Sequence, residues 1–307
     1  YWLGSCLGNV FYWVLISSTL GNFFPVFGGG NTVVAIAVSL AGVWIYHVLI
    51  LRGVEQAAFI NFVVTIAKIV PIIVAVIAMI VAFNFDQFAA NFWGGADMPE
   101  KPLLAQVRDT MLITVFVFIG IEGASVYSRF AQERSHVGTA TILGFVAVIG
   151  LMIAVTLLPY GLLPQSGVAA LGQPSLAGAL EAAVGPWGLW FISVGVLVSV
   201  LGAYLAWTLI CAEVMFAAAK SKDMPRIFTT QNRNRVPVAA LWATNLVVSA
   251  FIVSTYWSYD AFNIMLDMTS VTTLVPYILV AGYGVIVARS AADYPGAPRE
   301  QMRDSIF

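Results

Sequence analysis

The chain has 307 residues, of which 60% are hydrophobic and 9% charged, with net charge −1 and mean hydropathy +0.91. A soluble domain carries about 25% charged residues, so most of this chain must lie in lipid, and the near-neutral balance gives no hint of nucleic acid. It has no CxxC, HExxH or GxxxxGK[ST] pattern, and so no motif for a metal centre, a cofactor or ATP.

A spanning helix needs ~20 apolar residues. Such windows fall at roughly 3–26, 32–51, 57–83, 110–128, 139–163, 186–219, 237–256 and 261–288, which predicts eight spans. Tyr1 already lies inside an apolar run, with no Met, basic leader or cleavage site, so a fragment of a longer protein is expected rather than a signal peptide. The first span carries Asn9 beside Gly8, a mid-helix amide that can bond a ligand or a neighbouring helix. Cys6 in this span and Cys211 in the sixth read as packing thiols. The glycines at 28–30 predict a tight turn, and His47 near the end of the second span a surface or interfacial histidine.

Lys68 lies eleven residues into the third span, about 16 Å from its inner end at 1.5 Å per residue. A bare ammonium at that depth is costly, so Lys68 is expected to face protein or water and a polar partner. Residues 84–109 read as a loop with Pro99 and Pro102. The fourth span holds the most informative feature, Gly120-Ile-Glu122-Gly123. Glycines weaken a helix, and a helix that breaks beside an acid in lipid exposes backbone to a polar solute. Glu122 can cap that break or take part in transport. His136 falls in the next inner loop, and residues 164–185 form a further break rich in Pro and Gly. In the sixth span Gly188, Gly195 and Gly202 repeat every seven residues on one face, open to close helix approach. Trp207 sits too deep there for an interfacial belt. Glu213 near Lys220 can snorkel to the inner surface, and Asp267 in the last span can cap or pair.

Charge sidedness orients the spans. With the first span running outward, eleven Lys and Arg fall on inner loops, Lys101 and Arg108 alone fall outside, and Lys68 lies within a span. This asymmetry matches the positive-inside rule.

Phe118-Ile-Gly-Ile-Glu-Gly-Ala-Ser-Val126 resembles the sixth-helix signature of basic amino acid/polyamine antiporters in the amino acid–polyamine–organocation superfamily. Tyr1-Trp-Leu-Gly-Ser-Cys-Leu-Gly-Asn9 is similar to the family's third helix. The stretches 50–61 and 65–71 resemble the fourth-to-fifth helix junction of the arginine/ornithine branch, and 134–141 the loop into the seventh helix. Ala206-Trp-Thr-Leu209, Asp223-Met-Pro225 and Thr273-Leu-Val-Pro-Tyr277 fit the eighth helix, its following loop and the tenth helix.

The resemblance implies an all-α polytopic membrane protein with a LeuT-like inverted-repeat fold, here a fragment covering about eight helices, three to ten. Residues 1–288 would form the transporter domain and 289–307 a cytoplasmic segment. It also implies substrate contact by Tyr1, Asn9, Phe116, Ile119, Gly120, Trp207 and Thr269, and gating or coupling by Lys68, Glu122 and Tyr277. Phe116 stands where arginine-recognising relatives often carry Trp. The function implied is exchange of cationic amino acids, of arginine/ornithine type, by alternating access. The protein would be multi-pass in a bacterial inner membrane, without cofactor or metal, and a homodimer. Alternatives are a proton-coupled amino acid symporter of the same fold and a non-transporting amino acid sensor. A membrane-embedded enzyme would need converging nucleophile, base or metal ligands, which two isolated histidines do not supply.

Overall fold

A computed structural model describes residues 1–53, 57–92, 102–120 and 134–289. Among these, every regular element longer than a bridge is helical: α1 (Trp2–Gly21), α2 (Val33–Leu51), α3 (Ala57–Val81), α4 (Phe85–Asn91), α5 (Leu103–Phe118), α6 (Arg134–Leu157), α7 (Gln165–Ala169), α8 (Ser175–Val184), α9 (Pro186–Lys220), α10 (Val238–Ser254) and α11 (Ala261–Arg289). Six of them (α1, α2, α6 with its continuation, α9, α10 and α11) are long and apolar enough to cross a membrane. A seventh is a bent pair, in which α3 turns by 99° into α4. There the Asn84 side chain caps α4, its Oδ1 accepting the N–H of Asp86 at 2.9 Å and of Gln87 at 3.2 Å. Each predicted window coincides with a helix among the described residues, the fourth only as far as Phe118.

Two regions differ from expectation. The fourth span begins at Leu103 rather than 110, and the break at 164–185 contains α7 and α8. The prolines taken as breakers open helices instead: Pro102, Pro164 and Pro174 each occupy the N-cap position. Their fixed φ and missing N–H cost nothing at a helix start. Residues 290–307, the predicted cytoplasmic segment, lie outside the described residues.

Helix α1 is the hub. Its apolar window is 72% buried, against at most 39% for the other spans. It packs on α11, α9, α10 and α2. Close approach is built into the sequence at Gly42 of α2, where the Trp13 indole of α1 occupies the place a Cβ would take. The same ring meets Tyr204 of α9 edge-on, with centroids 5.2 Å apart. On the seven-residue glycine face of α9, Gly188 meets Leu180 of α8 and Gly195 lies in a cleft with Pro71 of α3.

The loops bond within the side assigned to them by charge. On the inner side, Asn232 and Asn234 donate to the Leu51 carbonyl at 2.8 and 3.0 Å. On the outer side, Asn22 donates to Gln173 O at 3.0 Å, Asn31 to Ser258 O at 2.8 Å and Asn91 to Tyr160 O at 2.7 Å. Interior amides serve the same end: Asn245 of α10 bonds Nδ1 of His47 on α2 at 2.9 Å. That places His47, 2% exposed, at a helix interface rather than at the surface.

Candidate functional site

Helix α5 ends at Phe118. Ile119 leaves it in an extended conformation (φ −61°, ψ 128°), and Gly120 follows at φ +101°. A side chain is strained at that φ, which is why the break falls on a glycine. The end of α5 carries partial negative charge, equivalent to roughly half an elementary charge, from its final carbonyls.

This end borders a cavity of about 60 Å³ lined by Gly4, Ser5, Gly8 and Tyr12 of α1, Phe116 and Ile119 of the α5 end, Trp207 of α9, and Thr269 and Thr273 of α11. Trp207 lies over Gly120: a Cβ there would stand 3.3 Å from Cζ2 of the indole. On the outward side, as the helix directions place it, the Phe116 ring meets Phe11 edge-on at 4.7 Å, and Phe11 meets Phe262 at 4.8 Å. Ser270 pins α11 to α5 by donating to Leu112 O at 2.9 Å.

The lining suits a cation. Two of its hydroxyls donate into their own helices, Thr269 to Met265 O at 2.7 Å and Ser5 to Tyr1 O at 3.2 Å. Each hydroxyl oxygen keeps acceptor capacity. The aromatic faces of Tyr12, Phe116 and Trp207 attract ammonium or guanidinium groups. The volume is well below the ~300 Å³ at which small-molecule pockets begin.

Of the residues singled out in the sequence, Phe116, Ile119, Trp207 and Thr269 line this cavity and Gly120 adjoins it under Trp207. Asn9 does not line it. Its amide points to α9, where Nδ2 donates to Thr208 Oγ1 at 3.5 Å and to Cys211 Sγ at 3.6 Å. Tyr1 is 37% exposed, and its carbonyl accepts from Ser5. Tyr277 is half-buried one turn beyond Thr273 and outside the lining. Lys68 is exposed on a face of α3, with Ile66, Ile69 and Ile73, that the described elements leave uncovered. Glu213 and Asp267 are also exposed. Glu122 lies outside the described residues.

Gly4, Ser5, Gly8, Tyr12 and Thr273 were missed. A signal existed: residues 4, 8 and 12, like 269 and 273, recur every four positions and so share a helix face. Spacing alone does not say which neighbour that face meets.

The model for "Amino acid permease" matches residues 1–301. An arginine/ornithine antiporter of Pseudomonas aeruginosa is 44% identical over 100% of this chain and 65% of its own length. Arginine/agmatine antiporters of Chlamydia abortus and Chlamydia pneumoniae are 40% and 39% identical, over 92% and 96% of this chain and 59% and 62% of theirs. The chain thus spans about three fifths of the length of these relatives. With its membrane-crossing helices and this match over nearly all its residues, the chain belongs to the amino acid permease family, and its all-α polytopic structure has the family's LeuT-like fold.

Proposed function

We propose that this chain carries the substrate-handling part of an antiporter for cationic amino acids, of arginine/ornithine type, in a bacterial inner membrane. The observation that carries the reading is the break at Ile119–Gly120 beneath Trp207, inside a cavity of hydroxyls and aromatic faces at a helix C-terminus. Partial negative charge and ring faces favour a guanidinium or ammonium group. The names of the relatives agree with this chemistry. Trp207 and the Phe11–Phe116–Phe262 trio serve as gates on either side of the cargo. Rocking of one helix bundle against the other opens the cavity alternately to each side. Ile119, Gly120, Phe116 and Thr269 contact the cargo directly. Asn9 acts from behind, holding α1 to α9.

Counterflow in liposomes holding the full-length protein tests this. Labelled arginine uptake should require internal ornithine. Uptake indifferent to internal substrate and driven by a pH gradient would replace exchange with proton-coupled symport. Binding without movement would make the protein a sensor.

A further inference from the structure

A second cavity, of about 280 Å³, lies beyond the aromatic trio. Its lining includes Ser18 and Asn22 at the end of α1, Asn31 before α2, Gln173 before α8, and Asp260 and Phe262 at the start of α11. The sidedness of Lys and Arg assigns these loops to the outer side of the membrane. Phe262 links the two cavities. It lines this one, and its ring meets Phe11 at 4.8 Å, which meets Phe116 of the inner lining at 4.7 Å. The outer cavity is the larger of the two, close to the ~300 Å³ at which small-molecule pockets begin.

Three polar side chains of this lining turn donors into the protein. Asn22 Nδ2 donates to Gln173 O at 3.0 Å, Asn31 Nδ2 to Ser258 O at 2.8 Å and Ser18 Oγ to Leu15 O at 3.1 Å. That leaves two amide oxygens and a hydroxyl oxygen to accept. Asp260 is the one charged side chain among the described lining residues. Asn263 fixes its carboxylate, donating to Oδ1 from the backbone N–H at 3.1 Å and to Oδ2 from Nδ2 at 2.6 Å. These bonds occupy two of its roughly four acceptor positions. A full negative charge outweighs the roughly half positive charge of the α11 N-terminus. A net negative lining rich in acceptors matches a positive group that carries several N–H donors. We propose that this outer cavity binds the guanidinium or ammonium group of a cationic solute, as an antechamber that holds cargo before the trio opens. The site stands on its own lining; that the solute is cargo rests on the antiporter reading.

Asp260→Asn tests this, because Asn caps a helix about as well as Asp does: the charge leaves and the cap stays. Right-side-out membrane vesicles holding the full-length protein and internal ornithine are given labelled arginine at rising concentration and at two ionic strengths. The outer KM should rise about 2–5-fold at low salt, the worth of an exposed ion pair. The parental increase of KM with salt should flatten in this variant. Asp260→Glu, which keeps the charge, should keep the salt dependence. The shift should be confined to this orientation and absent from inverted vesicles. A KM and salt profile equal to the parental ones, or an equal shift in inverted vesicles, would overturn the proposal. Parental uptake that ignores internal ornithine would remove exchange instead, and the outer KM would still decide the role of Asp260.

Discussion

Replacing Gly120 by alanine is the most direct probe of the broken helix. The residue sits at φ +101°, and the added methyl would stand 3.3 Å from the Trp207 indole, tighter than ordinary van der Waals contact. Holding a non-glycine residue in so sparsely populated a region costs about 1–3 kcal/mol. Alanine also restricts the unfolded chain, which offsets about 0.4–1 kcal/mol. Taking the middle of each range, the net penalty on this conformation is about 1.3 kcal/mol, a factor of roughly ten in its population. Arginine/ornithine counterflow in proteoliposomes, normalised to inserted protein, should slow in that proportion. A second substitution separates the two causes. Trp207→Leu added to Gly120→Ala removes the ring contact but not the backbone strain, so the part of the penalty it relieves is steric. Gly120→Ala exchanging at the parental rate, with an unchanged melting temperature, would mean that this residue is not held at positive φ in the working protein, and the account of the site would fail.

Other consequences are cheaper to check. Trp207→Ala should slow exchange about 2–30-fold, the worth of a cation–π contact of about 0.5–2 kcal/mol, while leaving membrane insertion intact; near-parental turnover would remove the indole from the site. Gly42→Val would drive a side chain into Trp13 and should destabilise by about 1–3 kcal/mol, read as a lowered melting temperature in nanodiscs, and an unshifted melt would refute that helix contact. Asn245→Leu breaks the bond to His47 and should cost about 0.6–1.7 kcal/mol, the range for interhelical bonds in membranes. A double-mutant cycle with His47→Leu that shows no coupling would contradict the pairing.

The membrane class and the places of the long apolar helices were legible in the sequence because each follows from a local or additive property. Apolar length needs no knowledge of neighbours. The break at Gly120 was legible for a related reason: a glycine-flanked acid in an apolar run is a local conflict that only a departure from helix resolves. Phe116, Trp207 and Thr269 came from the family resemblance, and the cavity gathers them. Pro102, Pro164 and Pro174 misled, because a proline that breaks a helix and one that opens it look alike until the next turn is seen.

Which face of a helix meets which neighbour was decided only by tertiary packing. Asn9 and Gly8 are adjacent in the chain, yet Gly8 lines the cavity while Asn9 turns to Thr208 and Cys211 on α9. One residue step rotates a side chain by about 100° at 3.6 residues per turn, and nothing in a uniformly apolar helix marks the direction. Lys68 illustrates the same limit: its depth was calculable from the chain, its exposure was not. Hydropathy sums over residues and survives in one dimension, whereas a cavity is a relation among four helices and exists only once they are assembled.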